Sequence, residues 1–390
     1  MQRTTDPSLT TPTPASNPAP SQLFQPLTLS QLTLPNRIVI APMCQYSAQE
    51  GNANDWHLMH YGSLAVSGAG MLVLEATAVS AVGRITDADL GIYSDDNQQA
   101  LGRLMGSLRK LSAIPVAIQL AHAGRKASSH LPWEGAAQIA PDAPRGWVAQ
   151  APSAIAHAAG EVPPAEMTPA ELVEVKDAFV AAAKAADALG IDGIEIHMAH
   201  GYLLHEFLSP LSNTRSDAYG GSLENRLRYP LELFAAVRAA VPAAKPVWVR
   251  ISASDWVPGG WDIDGSIALA QGLKALGCSA IHVSSGGLST AQQIPVQPGY
   301  QVGFAEAIKQ ATGLTTIAVG LVTEPAQAEH IVASGQADAV AIGRAALYDP
   351  RWPWHAAASL GAQVDAPRQY WRSQPREYSK LFRGAAVGVR

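Results

Sequence analysis

Short, nearly uninterrupted apolar runs recur along the chain. They fall at Arg37–Ala41 (RIVIA), Met71–Leu74 (MLVL), Val116–Leu120 (VAIQL), Gly193–His197 (GIEIH), Val247–Ile251 (VWVRI), Ala280–Val283 (AIHV), Thr316–Val319 (TIAV) and Ala339–Ile342 (AVAI). Runs of this kind, rich in β-branched residues, suit strands of a parallel sheet covered on both faces. Helical spacing separates most of them. Leu101, Leu104, Met105, Leu108 and Leu111 form one stripe, with Ser94-Asp95-Asp96 at its start and Arg109-Lys110 at its end, in the sense the helix dipole favours. Thr168-Pro169-Ala170-Glu171 reads as a capping box with proline at the first helical position; Leu172, Val175, Phe179, Ala182 and Ala186 then share a face, and Gly190 is placed to end the helix. Thr323 and Gly335 are expected to cap a later helix.

Alternating strands and helices leave an open doubly wound sheet or a closed barrel. A dinucleotide-binding sheet wants a glycine-rich loop after its first strand, and Ala41-Pro42-Met43-Cys44 is not one. Unusual residues follow the ends of many strands instead: Cys44, Glu75, Gln119, His197, Arg250, Ser284, Gly320 and Gly343-Arg344. A site assembled from many strand ends is what a (β/α)8 TIM barrel builds. The stretch from Ala121 to Glu166 is too long for a simple connection, so a decorated loop after strand 3, with its own hairpin over the barrel mouth, is expected.

Composition agrees with one large core: 47% of residues are hydrophobic and only 15% charged. A net charge of −5 offers no basic stripe, so a nucleic-acid partner is not expected. The apolar runs fall short of the ~18 residues a membrane span needs. Cys44 and Cys278 are too few for a disulfide framework or a four-thiolate cluster, which makes a reducing, cytoplasmic setting the default. Residues 1–22, rich in Pro, Thr and Ser, are expected as a flexible tail without the apolar stretch of a secretory signal. The barrel domain is expected over 23–372, and residues 373–390 as a flexible extension.

The most informative chemistry lies in IEIHMAHGYLLHEFLSPLSNTRSDAYGGSLENR, Ile194–Arg226. His197 closes a strand, and His200 and Tyr202 follow in the turn. Three polar rings at a barrel mouth can do acid–base or hydrogen-bond work. Satisfied structural histidines are the plainer reading. A metal site from His197, His200 and His205 ranks lower, because only Glu206 is at hand to complete it.

This segment resembles the signature of the Old Yellow Enzyme family of flavin-dependent ene-reductases, and more narrowly its thermophilic-like subgroup. The resemblance runs from Leu23 to Arg372. It includes LPNRIVIAPMCQYS (Leu34–Ser47), GRITDADLGIYSDD (Gly83–Asp96), QLAHAGRKA (Gln119–Ala127), VRISASDW (Val249–Trp256), PGYQV (Pro298–Val302), AVG (Ala318–Gly320) and AIGR (Ala341–Arg344). Eight such motifs in order are specific where one would be weak.

The resemblance implies FMN as cofactor and NADPH or NADH as reductant. Gly320, Gly343 and Arg344 then match the phosphate position, where barrels commonly bind phosphate. Gln119 and Arg250 match the flavin's pyrimidine edge, where a guanidinium stabilises the charge of the reduced ring. Ala41, Pro42, Met43 and Ala76 match contacts around the ring, and Cys44 a residue that tunes its potential and touches substrate. His197 and His200 match the pair that grips the substrate's carbonyl oxygen, Tyr202 the proton donor, and Tyr46 a substrate contact. Lys126 matches a residue near the pocket; a surface lysine is the bland alternative, as a structural role is for His57 and His60. Gln369-Tyr370-Trp371-Arg372 resembles the segment through which the subgroup places an arginine in a neighbouring active site, which implies a homodimer or a tetramer built from dimers, with Arg372 as a substrate contact. The implied reaction is reduction of the C=C bond of activated alkenes by ping-pong turnover. The two cysteines exclude a relative carrying an iron–sulfur cluster. The remaining alternative is a flavin-free, phosphate-binding aldolase or isomerase barrel, for which no Schiff-base lysine is evident at a strand end.

Overall fold

The computed structural model describes residues 20–386. Eight parallel strands close a barrel: β1 (Ile38–Ile40), β2 (Met71–Ala78), β3 (Val116–Ala121), β4 (Gly193–Met198), β5 (Val247–Ser252), β6 (Ile281–Ser284), β7 (Thr316–Ala318) and β8 (Ala339–Ile342). Each pairs with its neighbours in sequence. Pairing of β8 with β1, Val340 beside Ile38, closes the ring. The strands read as apolar runs because helices cover them from outside and packed side chains fill them from inside; nearly every strand residue is buried.

Two of the expected N-terminal caps are in place. Helix α1 spans Asp55–Ala65; α2, Asp95–Leu111, starts on Ser94, whose hydroxyl accepts from Asn97 N–H. Leu101, Leu104, Met105 and Leu108 are buried on its inner face, while Leu111, at the last turn, is exposed. Helix α3, Pro169–Ala188, carries the full Thr168–Glu171 capping box, and Gly190 follows it at φ +71. Then come α4 (Leu203–Leu208), α5 (Leu223–Ala240), α6 (Ile263–Ala275), α7 (Val302–Thr312) and α8 (Pro325–Ala333). Thr323 is not the cap of α8: Pro325 sets the first helical position, so the cap falls on Glu324, without a side-chain bond. The order ends with α9 (Arg344–Tyr348) and α10 (Trp352–Ser359).

Three expectations need correction or completion. The hairpin expected between Ala121 and Glu166 is reduced to a single antiparallel bridge, Ser129 beside Gln138, with His130 N–H donating to Ala137 C=O; Gln150–Ala151 and Ala165–Glu166 pair in parallel. The segment still covers the mouth, for Trp133 stands edge-on to Tyr46 with ring centroids 6.1 Å apart. A hairpin occurs elsewhere, between Leu27–Leu29 and Leu32–Leu34, ahead of β1. Second, the extension expected to be flexible after Arg372 is seated on the chain. Leu381 and Phe382 are buried against Trp354, Ala357 and Val364, and Val364 N–H donates to Leu381 C=O. Burial of these two large apolar side chains favours the seated arrangement over a free tail. Third, residues 1–19 of the expected N-terminal tail lie outside the described residues. Its last residues are bound, since Ser21 Oγ and Gln22 N–H both donate to Glu329.

Candidate active site

The site is built outward from the barrel interior. Glu195 on β4 is fully buried and accepts three hydrogen bonds: from Gln119 Nε2 at 2.7 Å, Trp248 Nε1 at 2.6 Å and His282 Nδ1 at 2.8 Å. Burial alone would raise this carboxyl. The His282 bond, the nearby Arg250 guanidinium and the Trp248 indole outweigh it and hold the group down at about 2. Burial lowers His282, and the Glu195 carboxylate opposes that shift.

One step towards the mouth stands Arg250, flanked in the ladder by His197 of β4 and His282 of β6. Its Nε is buried and has no hydrogen-bond partner among the described residues. A buried guanidinium with an idle donor is costly unless something polar or anionic meets it. Arg250 lines a cavity of about 270 Å³ together with Ala41, Pro42, Met43, Gly320, Gly343 and Arg344. Gly320, at φ +126, leaves no room for a side chain: a Cβ there would lie 2.6 Å from Gln301 Nε2. Helix α9 is short, so an anion would rely on local backbone N–H groups and the Arg344 side chain at the cavity's edge.

The remaining candidates do not line this cavity; they sit on or just after β1, β2, β3 and β4. Ala76 pairs with Gln119 across β2 and β3, just after a bulge at Glu75. Cys44 follows Met43, and its thiol is raised by burial and by the carboxyls of Asp89 and Glu75, so it stays protonated. His197 stands edge-on to both His200 and Tyr202, with centroids 5.2 and 4.8 Å away. His197 Nδ1 accepts the Ala199 N–H at 3.1 Å, which leaves the proton on Nε2. Burial, and then Arg250, lower both histidines well below their ordinary value, so they act as neutral rings. Burial raises the Tyr202 phenol well above its usual value.

Some candidates do not join. Arg372 is exposed on a short helical turn, Arg368–Ser373. The preceding residues Asp365–Pro367 border a crevice with Ala69, Ile114 and Pro115, which lead into β2 and β3 at the end opposite the mouth. His205 turns away into a buried pair with Asp255 at 2.9 Å. His57 is a helix-cap residue whose Nδ1 accepts from Asn54 N–H. Lys126 is not a surface lysine; its ammonium donates to two backbone carbonyls. Sequence reasoning missed Gln301, which lines the cavity after a long loop, and the Glu195–Trp248–His282 cluster inside the barrel.

A closed barrel with two arginines at a mouth cavity, and with neutral histidines and a protonated phenol beside one of them, has the parts of a cofactor-binding oxidoreductase. Residues 22–363 match the NADH:flavin oxidoreductase / NADH oxidase family. An NADPH dehydrogenase from Geobacillus thermodenitrificans (strain NG80-2) is 44% identical over 352 residues, 90% of this chain and 98% of that one. Among solved structures, morphinone reductase in complex with tetrahydroNAD aligns at a TM-score of 0.72 and 27% identity, covering 88% of this chain and 92% of that one. A complex of 2-naphthoyl-CoA reductase with 2-naphthoyl-CoA aligns at a TM-score of 0.77 and 25% identity; 87% of this chain covers 52% of that one. The chain belongs to the NADH:flavin oxidoreductase family, the Old Yellow Enzyme family that its motifs resemble. It is an NAD(P)H-dependent flavin oxidoreductase with FMN as cofactor, and the flavin-free barrel alternative is set aside. The idle Arg250 donor and the arginine-lined cavity fit that cofactor.

Proposed function

We propose that the enzyme reduces the C=C bond of activated alkenes: enones, maleimides, nitroalkenes and quinones. The observation that carries this reading is the neutral His197, with Nδ1 occupied by Ala199 and Nε2–H left as a donor, packed against the Tyr202 ring. Bound FMN supplies a hydride taken from NADPH or NADH. Gly320, Gly343 and Arg344 would hold its phosphate; Gln119 and Arg250 would meet the polar edge of its ring, and Ala41, Pro42, Met43, Cys44 and Ala76 would pack around it. His197 and His200 hold the substrate's carbonyl or nitro oxygen and stabilise the charge that develops there, as oxyanion donors do. Tyr202, kept protonated by burial, gives its proton to Cα. Tyr46 borders the substrate. Reductant and alkene use one mouth in turn, which makes turnover ping-pong.

The same reading makes the protein a cytoplasmic homodimer, or a tetramer of such dimers, in which the exposed Arg372 serves a neighbouring subunit's pocket. No helix among the described residues is long and apolar enough to cross a membrane. The test is anaerobic: reduce the bound flavin with NADPH or NADH, then mix with cyclohexenone, N-ethylmaleimide, a nitroalkene or a quinone. Reoxidation with one equivalent of reduced product, the saturated compound or, from a quinone, the hydroquinone, is expected. Reoxidation by dioxygen alone, with every alkene inert, would overturn the proposal.

A further inference from the structure

His200 lies at φ +59, a left-handed conformation that residues with a side chain seldom adopt. Both of its backbone groups are caught. Its N–H donates to Ser252 Oγ at 2.9 Å, and Ser252 donates onward to Gly286 C=O at 2.8 Å. Its C=O accepts from Lys126 Nζ at 3.0 Å, and the same ammonium donates to Gly287 C=O at 3.1 Å. The loop after β4 and the loop after β6 are pressed together at this point. A Cβ on Gly287 would lie 2.6 Å from His200 Cα, and one on Gly201 would lie 2.3 Å from Gly287 O.

Two backbone carbonyls from different loops thus converge in a crowded interior. Their dipoles repel unless a shared donor lies between them. Lys126, from the turn after β3, is that donor. Its ammonium also stands 5.1 Å from the centre of the Tyr202 ring. One cation therefore touches the backbone that presents His200, the loop opposite, and the face of Tyr202. His200 Nε2 bonds Ser284 Oγ at 2.8 Å, at the end of β6, so any slip between the two loops also moves the imidazole.

We propose that Lys126 is a positioning residue, a clamp that locks the loops after β4 and β6 together and thereby fixes His200 and Tyr202 relative to each other. In its effect on ligand binding this rests on the function proposed above; in its effect on the loops it does not. The test uses the FMN-loaded full chain and the variant Lys126→Met, with Ser252→Ala as a second variant that releases His200 from the other side. Amide hydrogen exchange should rise in residues 199–203 and 285–289 of both variants, while exchange in β1 and β8 stays as in the wild type. Affinity for phenol, whose oxygen stands in for the enolate, should fall by about 10–100-fold by calorimetry, the scale of a misplaced binding group. FMN affinity should stay within about twofold, since neither Lys126 nor Ser252 lines the cavity at Arg344. Unchanged exchange in both loops overturns the clamp. So does unchanged phenol affinity in both variants when the wild type binds phenol. If the wild type binds no phenol, the proposed function fails, and exchange alone decides the clamp.

Discussion

Gln119 Nε2 donates to Glu195 Oε1 across β3 and β4, 2.7 Å apart and sealed from solvent. This bond joins a residue proposed to face the flavin to a carboxylate in the barrel's interior. Glu195 in turn orients Trp248 and His282 and offsets the charge of Arg250. The arrangement lets the barrel carry a guanidinium at its mouth without an ion-pair partner at hydrogen-bonding distance among the described residues, leaving its Nε donor for a ligand.

Glu195→Gln should therefore do more than remove a charge. The amide would turn donors towards donors and leave Arg250 uncompensated, so a loss of about 3–5 kcal/mol in unfolding free energy is expected, as for a broken buried pair. The pH dependence has a definite sign. A carboxyl held at about 2 in the fold contributes fully above its unfolded value and loses that contribution as pH falls towards 2. The stability gap between wild type and variant, measured by urea unfolding, should narrow from pH 5 to pH 3. A gap independent of pH would mean that Glu195 carries no charge in the folded enzyme.

Glu75 should show the opposite trend. It accepts the Tyr61 hydroxyl at 2.8 Å and the Gln45 N–H at 2.8 Å, but burial dominates and raises its carboxyl to about 8. Between the unfolded value near ~4.3 and that value the folded state holds the extra proton, so stability falls as pH rises. Glu75→Gln mimics the protonated acid and escapes this cost. Relative to wild type it should gain on the order of a few kcal/mol between pH 5 and pH 8. A constant difference across that range would show that Glu75 is ionised throughout.

Tyr202→Phe separates the two half-reactions. The His197 ring packs on Tyr202 through its edge, so a phenyl ring keeps the packing and removes only the proton. Flavin reduction by NADPH should be nearly unchanged in stopped flow, and oxidation by cyclohexenone slower by up to ~10²–10⁴-fold. Equal slowing of both steps would make Tyr202 a structural residue.

The strands, the long helices and the histidine segment were legible in the sequence because each has a local signature. Apolar runs, a capping box, and rings spaced by a turn are all short-range patterns. What escaped is set by contacts between distant residues. Glu195 looks like a polar interruption in GIEIH until the barrel closes and places Trp248 and His282 beside it. Gln301 follows a loop whose length hides where it returns. Leu381 and Phe382 sit in a polar stretch, and only the surface around Trp354 makes them core residues. The hairpin in LTLSQLTL has an alternating pattern, but its two strands of three residues are short enough to pass for a loop.

Arg372 sits on a turn fixed at both ends by its own chain. The Trp371 indole donates to Ala366 C=O, and Leu381 and Phe382 anchor the segment beyond it. Its side chain is exposed, and the segment leading to it starts from the far end of the barrel, so any active site it serves belongs to another subunit. Truncation would expose the buried pair Leu381 and Phe382, which makes a point substitution the cleaner probe. Arg372→Ala should raise KM for the alkene and leave the flavin bound. Mixing is decisive. In a dimer formed from one Arg372→Ala chain and one Tyr202→Phe chain, the site on the first chain keeps Tyr202 and receives an intact Arg372 from its partner. Co-refolded mixtures should therefore regain activity that neither variant has alone, in proportion to the mixed dimers formed. The other site in each mixed dimer carries both defects and adds nothing. A mixture no more active than the average of its two components, or a protein that sediments as a monomer at micromolar concentration with full activity, would remove the shared site.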